Sequence, residues 1–321
     1  MAVYTCVSSD DLKLFLTEFD LGELVDYQGI EGGIENTNYF VTLKNAQGEP
    51  CEYVLTLFEE LNQEEMPFFV ELTTWLAERN IQVPYPLQDS NGIALKNLHN
   101  RPALLQPRFQ GHHLETLKPE HCAQIGTALA QLHNAGRDFY LKRQAHRGVF
   151  WWRREASHLA HKLSAADALL LQDEVKLFDQ LREQPWQLPM GAIHGDLFYD
   201  NALFVDDKLS AILDIYNACT GYLLYDLAIV ANDWCVNTDG SVDTARETAL
   251  LEAYAAVRPF EENEYLAWPQ LVRTAAMRFW LSRLIPWLDE NSEQKLKDPD
   301  ELRQILLGRI EHPGSLPYLK K

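Results

Sequence analysis

Apolar residues Leu12, Phe15, Leu16 and Phe19 fall on one helical face, so the pattern predicts a short amphipathic helix over 10–19, capped by Ser8 or Ser9. The period then changes. Residues 38–43 and 52–58 are dense in β-branched and aromatic side chains, and the turn-forming run Lys44-Asn-Ala-Gln-Gly-Glu-Pro50 between them predicts a hairpin. Helical spacing returns over 64–79, with Phe69, Leu72 and Leu76 on one side, and Val83-Pro-Tyr-Pro86 stops it. Strand-like pieces follow at 92–95 and 103–109. Beyond Gly111 the texture is helical: 120–136 carries Ile125, Ala128, Leu129 and Leu132 at helical spacing, with Gly136 as a stop. Residues 155–183 and 265–288 read as further helices, the second ended or kinked by Pro286. Residues 192–213 interrupt this texture with two short apolar runs around a polar loop. The expected architecture is α+β and two-lobed. A small, mainly antiparallel-sheet lobe over 1–105 joins a larger helical lobe over 106–321 through a hinge about 104–111, with a cleft between them.

A chain of 321 residues exceeds what one hydrophobic core usually supports, which agrees with two lobes. With 28 Lys+Arg against 47 Asp+Glu the formal charge is −19, and no basic run appears, so nucleic-acid binding and docking on an anionic membrane are not expected. Five scattered cysteines with no CxxC pair exclude a disulfide scaffold and a zinc ribbon. The opening residues lack a basic-then-apolar leader and no 18 apolar residues run together, so a cytoplasmic protein is expected.

The chemistry concentrates in Ile193-His-Gly-Asp-Leu-Phe-Tyr-Asp-Asn-Ala-Leu-Phe204 and Ala211-Ile-Leu-Asp-Ile-Tyr216. Asp196 stands in a polar loop after an apolar strand, Asn201 follows five positions on, and Asp214 ends a second apolar strand. A hairpin over 203–213 would bring Asn201 and Asp214 together. One carboxylate and one amide oxygen suit Mg²⁺, which keeps waters and substrate phosphates as its other ligands. Asp196, outside that pair, is then placed to accept a proton from a hydroxyl. Metal on the phosphates and a base at the nucleophile is the division of labour of phosphoryl transfer.

His194-Gly-Asp196 with Asn201 resembles the kinase catalytic loop, and Asp214 resembles the metal-binding aspartate that follows it. The HGD form is similar to the aminoglycoside phosphotransferase and choline kinase superfamily, small-molecule kinases with a protein-kinase-like fold. Gly29-Ile-Glu-Gly-Gly-Ile-Glu-Asn-Thr-Asn-Tyr-Phe40, Tyr53-Val-Leu-Thr-Leu-Phe58, Leu224-Tyr-Asp-Leu-Ala-Ile-Val-Ala-Asn-Asp-Trp-Cys235 and Arg278-Phe-Trp-Leu-Ser-Arg283 resemble its bacterial homoserine kinases, in order along nearly the whole chain. The resemblance implies ATP and Mg²⁺ as cofactors and L-homoserine as the small-molecule substrate. It implies Asp196 as base, His194 as a brace of the loop, and Asn201 and Asp214 as metal ligands. Gly29, Gly32 and Gly33, placed between a helix and the first strand, resemble a phosphate-covering loop, with Asn36 and Asn38 adding polar contacts.

One departure stands out. The third-strand lysine of the kinase pattern falls near Thr56, which supplies no cation, so nucleotide affinity is expected to lean on Mg²⁺ and loop N–H groups. Homoserine is a zwitterion. Arg278 and Arg283 are candidates for its carboxylate, only one of them able to face the site at a spacing of five, and Tyr216, Asp233 and Trp234 are candidates around its amine. Asp226 reads as a buried carboxylate bracing the catalytic loop. The rivals are another small-molecule kinase (acting on choline, methylthioribose, hydroxylysine or an aminoglycoside), a pseudokinase that only binds nucleotide, and a metallohydrolase.

Overall fold

A computed structural model describes residues 3–30, 36–289 and 297–318 of the chain. It divides into two compact units, Met1–Gly111 with Ser210–Leu213, and His112–Leu209 with Asp214–Lys321.

In the first unit, α1 (Ser9–Leu16) begins where Ser8 Oγ accepts the Asp11 N–H at 3.1 Å, an N-cap that satisfies one of the orphan donors of the first turn. Five antiparallel strands follow: β1 (Glu23–Gly29), β2 (Asn36–Lys44), β3 (Pro50–Phe58), β4 (Lys96–Leu98) and β5 (Arg101–Pro107), in the order β1-β2-β3-β5-β4. Helix α2 (Met66–Ala77) connects β3 to the later strands. Tyr39, Val41 and Leu43 of β2 and Leu55 and Leu57 of β3 turn one face of the sheet onto Leu12 and Phe15 of α1 and Phe19 just beyond it, forming the core.

Two strands depart from the pattern. Strand β1, Glu-Leu-Val-Asp-Tyr-Gln-Gly, escaped the sequence because it lies on the sheet edge, largely exposed, and carries no apolar alternation. The strand expected over 92–95 starts later, at Lys96. Asp89 Oδ1 accepts the N–H groups of Asn91 and Ile93, both at 2.8 Å, and that turn consumes the residues before it. Ser210–Leu213 group with this unit, where the Ile212 N–H donates to the Gln82 carbonyl at 2.8 Å.

The second unit holds α3 (Pro119–Arg137), α4 (Val149–Leu159), α5 (Ala165–Arg182), β6 (Met190–Ile193), β7 (Ala202–Val205), β8 (Lys208–Ile212, whose end groups with the first unit), β9 (Cys219–Tyr222), α6 (Leu223–Trp234), α7 (Thr244–Val257), α8 (Glu262–Trp287) and α9 (Asp300–Glu311). The helical stretch expected over 155–183 is two helices, broken at 163–164, where Ser164 Oγ caps α5 by accepting the Asp167 N–H at 3.1 Å. Pro286 falls in the last turn of α8 and does not end it early. Helix α6 was not foreseen: it is buried almost all round, and so short and apolar a run reads equally as a buried strand. Strands β6 and β9 pair antiparallel with Ile193 opposite Cys219, so β6 ends directly on His194. Among the described residues no helix is long and apolar enough to cross a membrane.

Candidate active site

The loop after β6 is held by backbone geometry first. Gly195 has φ +78°, and a Cβ there would lie 2.9 Å from the Asn217 carbonyl oxygen, so both conformation and space call for glycine. Asp226, in the first turn of α6, then fixes the loop from beneath. Its Oδ2 accepts the His194 N–H at 2.7 Å and its Oδ1 the Gly195 N–H at 2.8 Å. His133 Nε2 of α3 donates to Asp226 Oδ2 at 3.0 Å, and the Tyr254 hydroxyl of α7 lies 2.7 Å from His133 Nδ1.

Burial works to raise the Asp226 carboxyl, yet His133, His194 and the Gly195 N–H outweigh it and hold the group below the ordinary carboxylate range. Burial lowers the His133 imidazole against the pull of Asp226. The pair is therefore a carboxylate and a neutral imidazole, Nε2–H facing the carboxylate and Nδ1 accepting from Tyr254. This is the bracing expected of Asp226.

The chemical groups sit on that braced loop. His194 is fully buried, and its Nδ1 accepts the Asp196 N–H at 3.3 Å, so the ring supports the loop from within. Asp196 is half-buried, and its Oδ2 lies 3.4 Å from Asn217 Nδ2. Asn201 closes a 3₁₀ turn (Tyr199–Asn201), and its Nδ2 donates to the Asp196 carbonyl at 2.8 Å. That bond fixes which end of the amide is nitrogen and turns Oδ1 to the other side. Asp214, at φ 57° and ψ 51°, leads into the 3₁₀ turn Ile215–Asn217. The left-handed conformation is one that a short polar side chain tolerates. Asn201 and Asp214 thus stand at the open end of the β7–β8 hairpin, two hard oxygen donors of the kind Mg²⁺ takes.

The C-terminal end of α6 supports the same loop. Asp233 Oδ2 accepts the Tyr199 N–H at 2.7 Å, and burial pushes this carboxyl up to about 7. Trp234 is fully buried, its indole N–H donating to the Leu197 carbonyl at 3.1 Å. Both were candidates around a substrate amine, and the structure turns both onto the loop backbone. Tyr216 stands half-buried in the 3₁₀ turn beside Asn217.

The two arginines of α8 diverge. Arg283 donates to Glu301 Oε2 at 2.7 Å and to the Asp298 carbonyl at 3.2 Å, tying α8 to the start of α9. Arg278 is buried, its guanidinium 3.8 Å above the Phe279 ring, and that ring packs 4.6 Å from Phe198 of the catalytic loop. Sequence reasoning missed Asn217, His133 and Tyr254. Asn217 follows Asp214 by three, but the other two are recruited from distant helices and carry no local signal.

In the first unit Thr56 and Asn38 are register partners on β3 and β2, and the Thr56 hydroxyl donates to Asn38 Oδ1 at 2.7 Å. Where the kinase pattern has a cation, this chain has a neutral hydroxyl–amide pair. Asn36 opens β2, opposite Phe58. Gly29 is the last residue of β1 opposite Tyr39, so the glycine segment connects β1 to β2 instead of a helix to the first strand. Gly32 and Gly33 lie outside the described residues.

The model of the phosphotransferase enzyme family matches residues 26–260. A homoserine kinase of Methylobacillus flagellatus is 46% identical over 317 residues, covering 97% of this chain and 96% of that protein. One of Pseudomonas aeruginosa is 44% identical over 319 residues, covering 99% of each. In fold, the chain is similar to amicoumacin kinase hAmiN, solved with AMP-PNP, Ca²⁺ and Ami, with a TM-score of 0.70 at 14% identity over 95% of this chain and 93% of that one. It is also similar to a choline/ethanolamine kinase family protein from Mesorhizobium loti, with a TM-score of 0.63 at 16% identity over 94% and 92%. The α+β architecture is therefore the protein-kinase-like one that the HGD pattern implies.

Proposed function

The chain belongs to the phosphotransferase enzyme family, and from that premise we propose that it transfers the γ-phosphate of ATP to the side-chain hydroxyl of L-homoserine, giving O-phospho-L-homoserine for threonine synthesis. The observation that carries this reading is the near-complete, 44–46% identical alignment with proteins named homoserine kinase. Asp196 orients the acceptor hydroxyl and takes its proton as the new O–P bond forms and the bond to ADP breaks. The Asp226 bonds to His194 and Gly195 fix the backbone that aims that carboxylate. Asn201 and Asp214 supply hard oxygens to Mg²⁺, which, when bound, offsets the phosphate charge. The first unit is assigned to the nucleotide, with Gly29, Gly32 and Gly33 for the phosphates and Asn36, Asn38 and Thr56 as polar contacts. The second unit holds the acceptor, with Tyr216 beside it.

The test is a coupled ADP-release assay with Mg-ATP across homoserine, choline, methylthioribose, hydroxylysine and kanamycin. Turnover is expected with homoserine, and turnover confined to choline or kanamycin overturns the assignment. Nucleotide binding without turnover of any of them marks a binding protein instead. Asp196→Asn should lower kcat by at least about 10²-fold while leaving nucleotide binding intact.

A further inference from the structure

We propose that Asn217 is a positioning residue for phosphoryl transfer: its side-chain amide sets the angle of the Asp196 carboxylate and ties it, across one turn of backbone, to Asp214. The inference rests on the reading of Asp196 as base and adds the group that aims it.

Backbone register puts Asn217 in place. Strands β6 and β9 end their pairing with Ile193 opposite Cys219, and two steps further along the same antiparallel track Gly195 comes opposite Asn217. The approach is close. A Cβ on Gly195 would meet the Asn217 carbonyl oxygen at 2.9 Å, so the glycine that supplies the loop's positive φ also lets Asn217 come this near. From there the Asn217 side chain reaches the next residue along, and its Nδ2 lies 3.4 Å from Asp196 Oδ2. An ionised carboxylate only accepts, so the nitrogen end of the amide is the end turned toward it. Catalytic hydrogen bonds are often this long and tighten once substrate is bound.

The contacts beneath the loop do a different job. Asp226 accepts the His194 and Gly195 N–H groups, and His194 Nδ1 accepts the Asp196 N–H. All three are bonds to the backbone, and they fix where the Asp196 side chain starts. The last torsion of an aspartate is broad, so backbone bonds alone do not set the angle of its carboxylate. A donor on one carboxylate oxygen narrows that angle.

Asn217 also ends the turn that begins at Asp214. The 3₁₀ turn Ile215–Asn217 follows Asp214 directly, and the Ala218 N–H donates to the Ile215 carbonyl at 3.0 Å to close it. The group that touches the base and the proposed metal ligand are thus two ends of one closed turn. Phosphoryl transfer needs the acceptor oxygen in line with the phosphate, and a strut between base and metal ligand sets that spacing.

The test is a double-mutant cycle on kcat for homoserine phosphorylation, pairing Asp196→Ala with Asn217→Ala, beside Asn217→Asp and Thr220→Val. Asn217→Ala should lower kcat by about 10- to 10²-fold, with the homoserine KM and the thermal shift given by Mg-ATP little changed. Asn217→Asp keeps the size but sets a second carboxylate against the base, and should lose at least as much. In the Asp196→Ala background Asn217→Ala should change kcat by less than about two-fold, because the carboxylate it aims is gone. Thr220→Val removes the hydroxyl on β9 that accepts the Arg143 N–H and should leave kcat unchanged. A purely structural role lowers kcat by the same factor in both backgrounds, and that result overturns the proposal. So does full kcat in Asn217→Ala, or a loss in Thr220→Val as large as that in Asn217→Ala. Full kcat in Asp196→Ala overturns the base and this proposal with it, and absence of homoserine turnover in wild type overturns the functional reading itself.

Discussion

Gly195 is the residue on which the loop conformation depends most directly. Its φ of +78° is unfavourable for any side chain, and a Cβ would meet the Asn217 oxygen at 2.9 Å. Gly195→Ala should therefore cost about 1–3 kcal/mol from backbone strain alone, and the strain falls between His194 and the proposed base, Asp196. We expect a lower melting temperature together with a kcat loss larger than the stability loss explains. A variant that melts lower yet keeps full kcat would show that the loop tolerates the shift. At this scale the candidate site was legible because it is local in the chain: Asp196, Asn201 and Asp214 follow one another within nineteen residues. What was not legible was where long side chains end. Asp233, Trp234, Arg278 and Arg283 are equally plausible in sequence, but the packing of α6 and α8 sends Asp233 to Tyr199, Trp234 to Leu197 and Arg283 to Glu301.

Helix α6 organises the site from both ends. Its first turn places Asp226 under His194 and Gly195, and its last turn places Asp233 and Trp234 under Leu197 and Tyr199. A helix is a stiff spacer of about 1.5 Å per residue, so these two anchor points hold the catalytic loop at a fixed length. Two further helices converge on the first anchor, α3 through His133 and α7 through Tyr254. Asp226→Ala would leave two backbone N–H groups and one imidazole N–H facing an apolar gap, at about 1–3 kcal/mol for each unsatisfied donor. His133→Phe removes the imidazole contact to Asp226 and the one to the Tyr254 hydroxyl but leaves the two backbone bonds in place, so it should cost less. The check is chemical denaturation of both variants beside kcat. Equal stability losses would mean that the carboxylate does not carry the loop. The sequence hid α6 for the reason it is so effective. Burial on nearly every side makes the helix strongly apolar overall, and a run that short and that apolar reads equally as strand or helix.

At the scale of the whole molecule, a chain of net charge −19 has to bind a polyanion. Its long-range field opposes the approach of ATP, and the β3 position that carries a lysine in the kinase pattern carries Thr56, bonded to a neutral amide. Neither the global charge nor that strand attracts phosphate. On the proposed function affinity would then fall to Mg²⁺ at Asn201 and Asp214 and to backbone N–H groups, and nucleotide binding should be far more metal-dependent than in a kinase with the strand lysine. Ligand binding raises stability by RT ln(1 + [L]/Kd), about 2.7 kcal/mol at a hundred-fold excess over Kd. With ATP at that level, a thermal melt in Mg²⁺ should shift upward by a readily measured amount. The same melt in EDTA should lose most of the shift, because a hundred-fold weaker Kd leaves about 0.4 kcal/mol by the same relation. Asn201→Ala and Asp214→Asn should reproduce the EDTA result with Mg²⁺ present. An equal shift in EDTA would sink the idea and would mean that groups of the first unit hold the phosphates unaided.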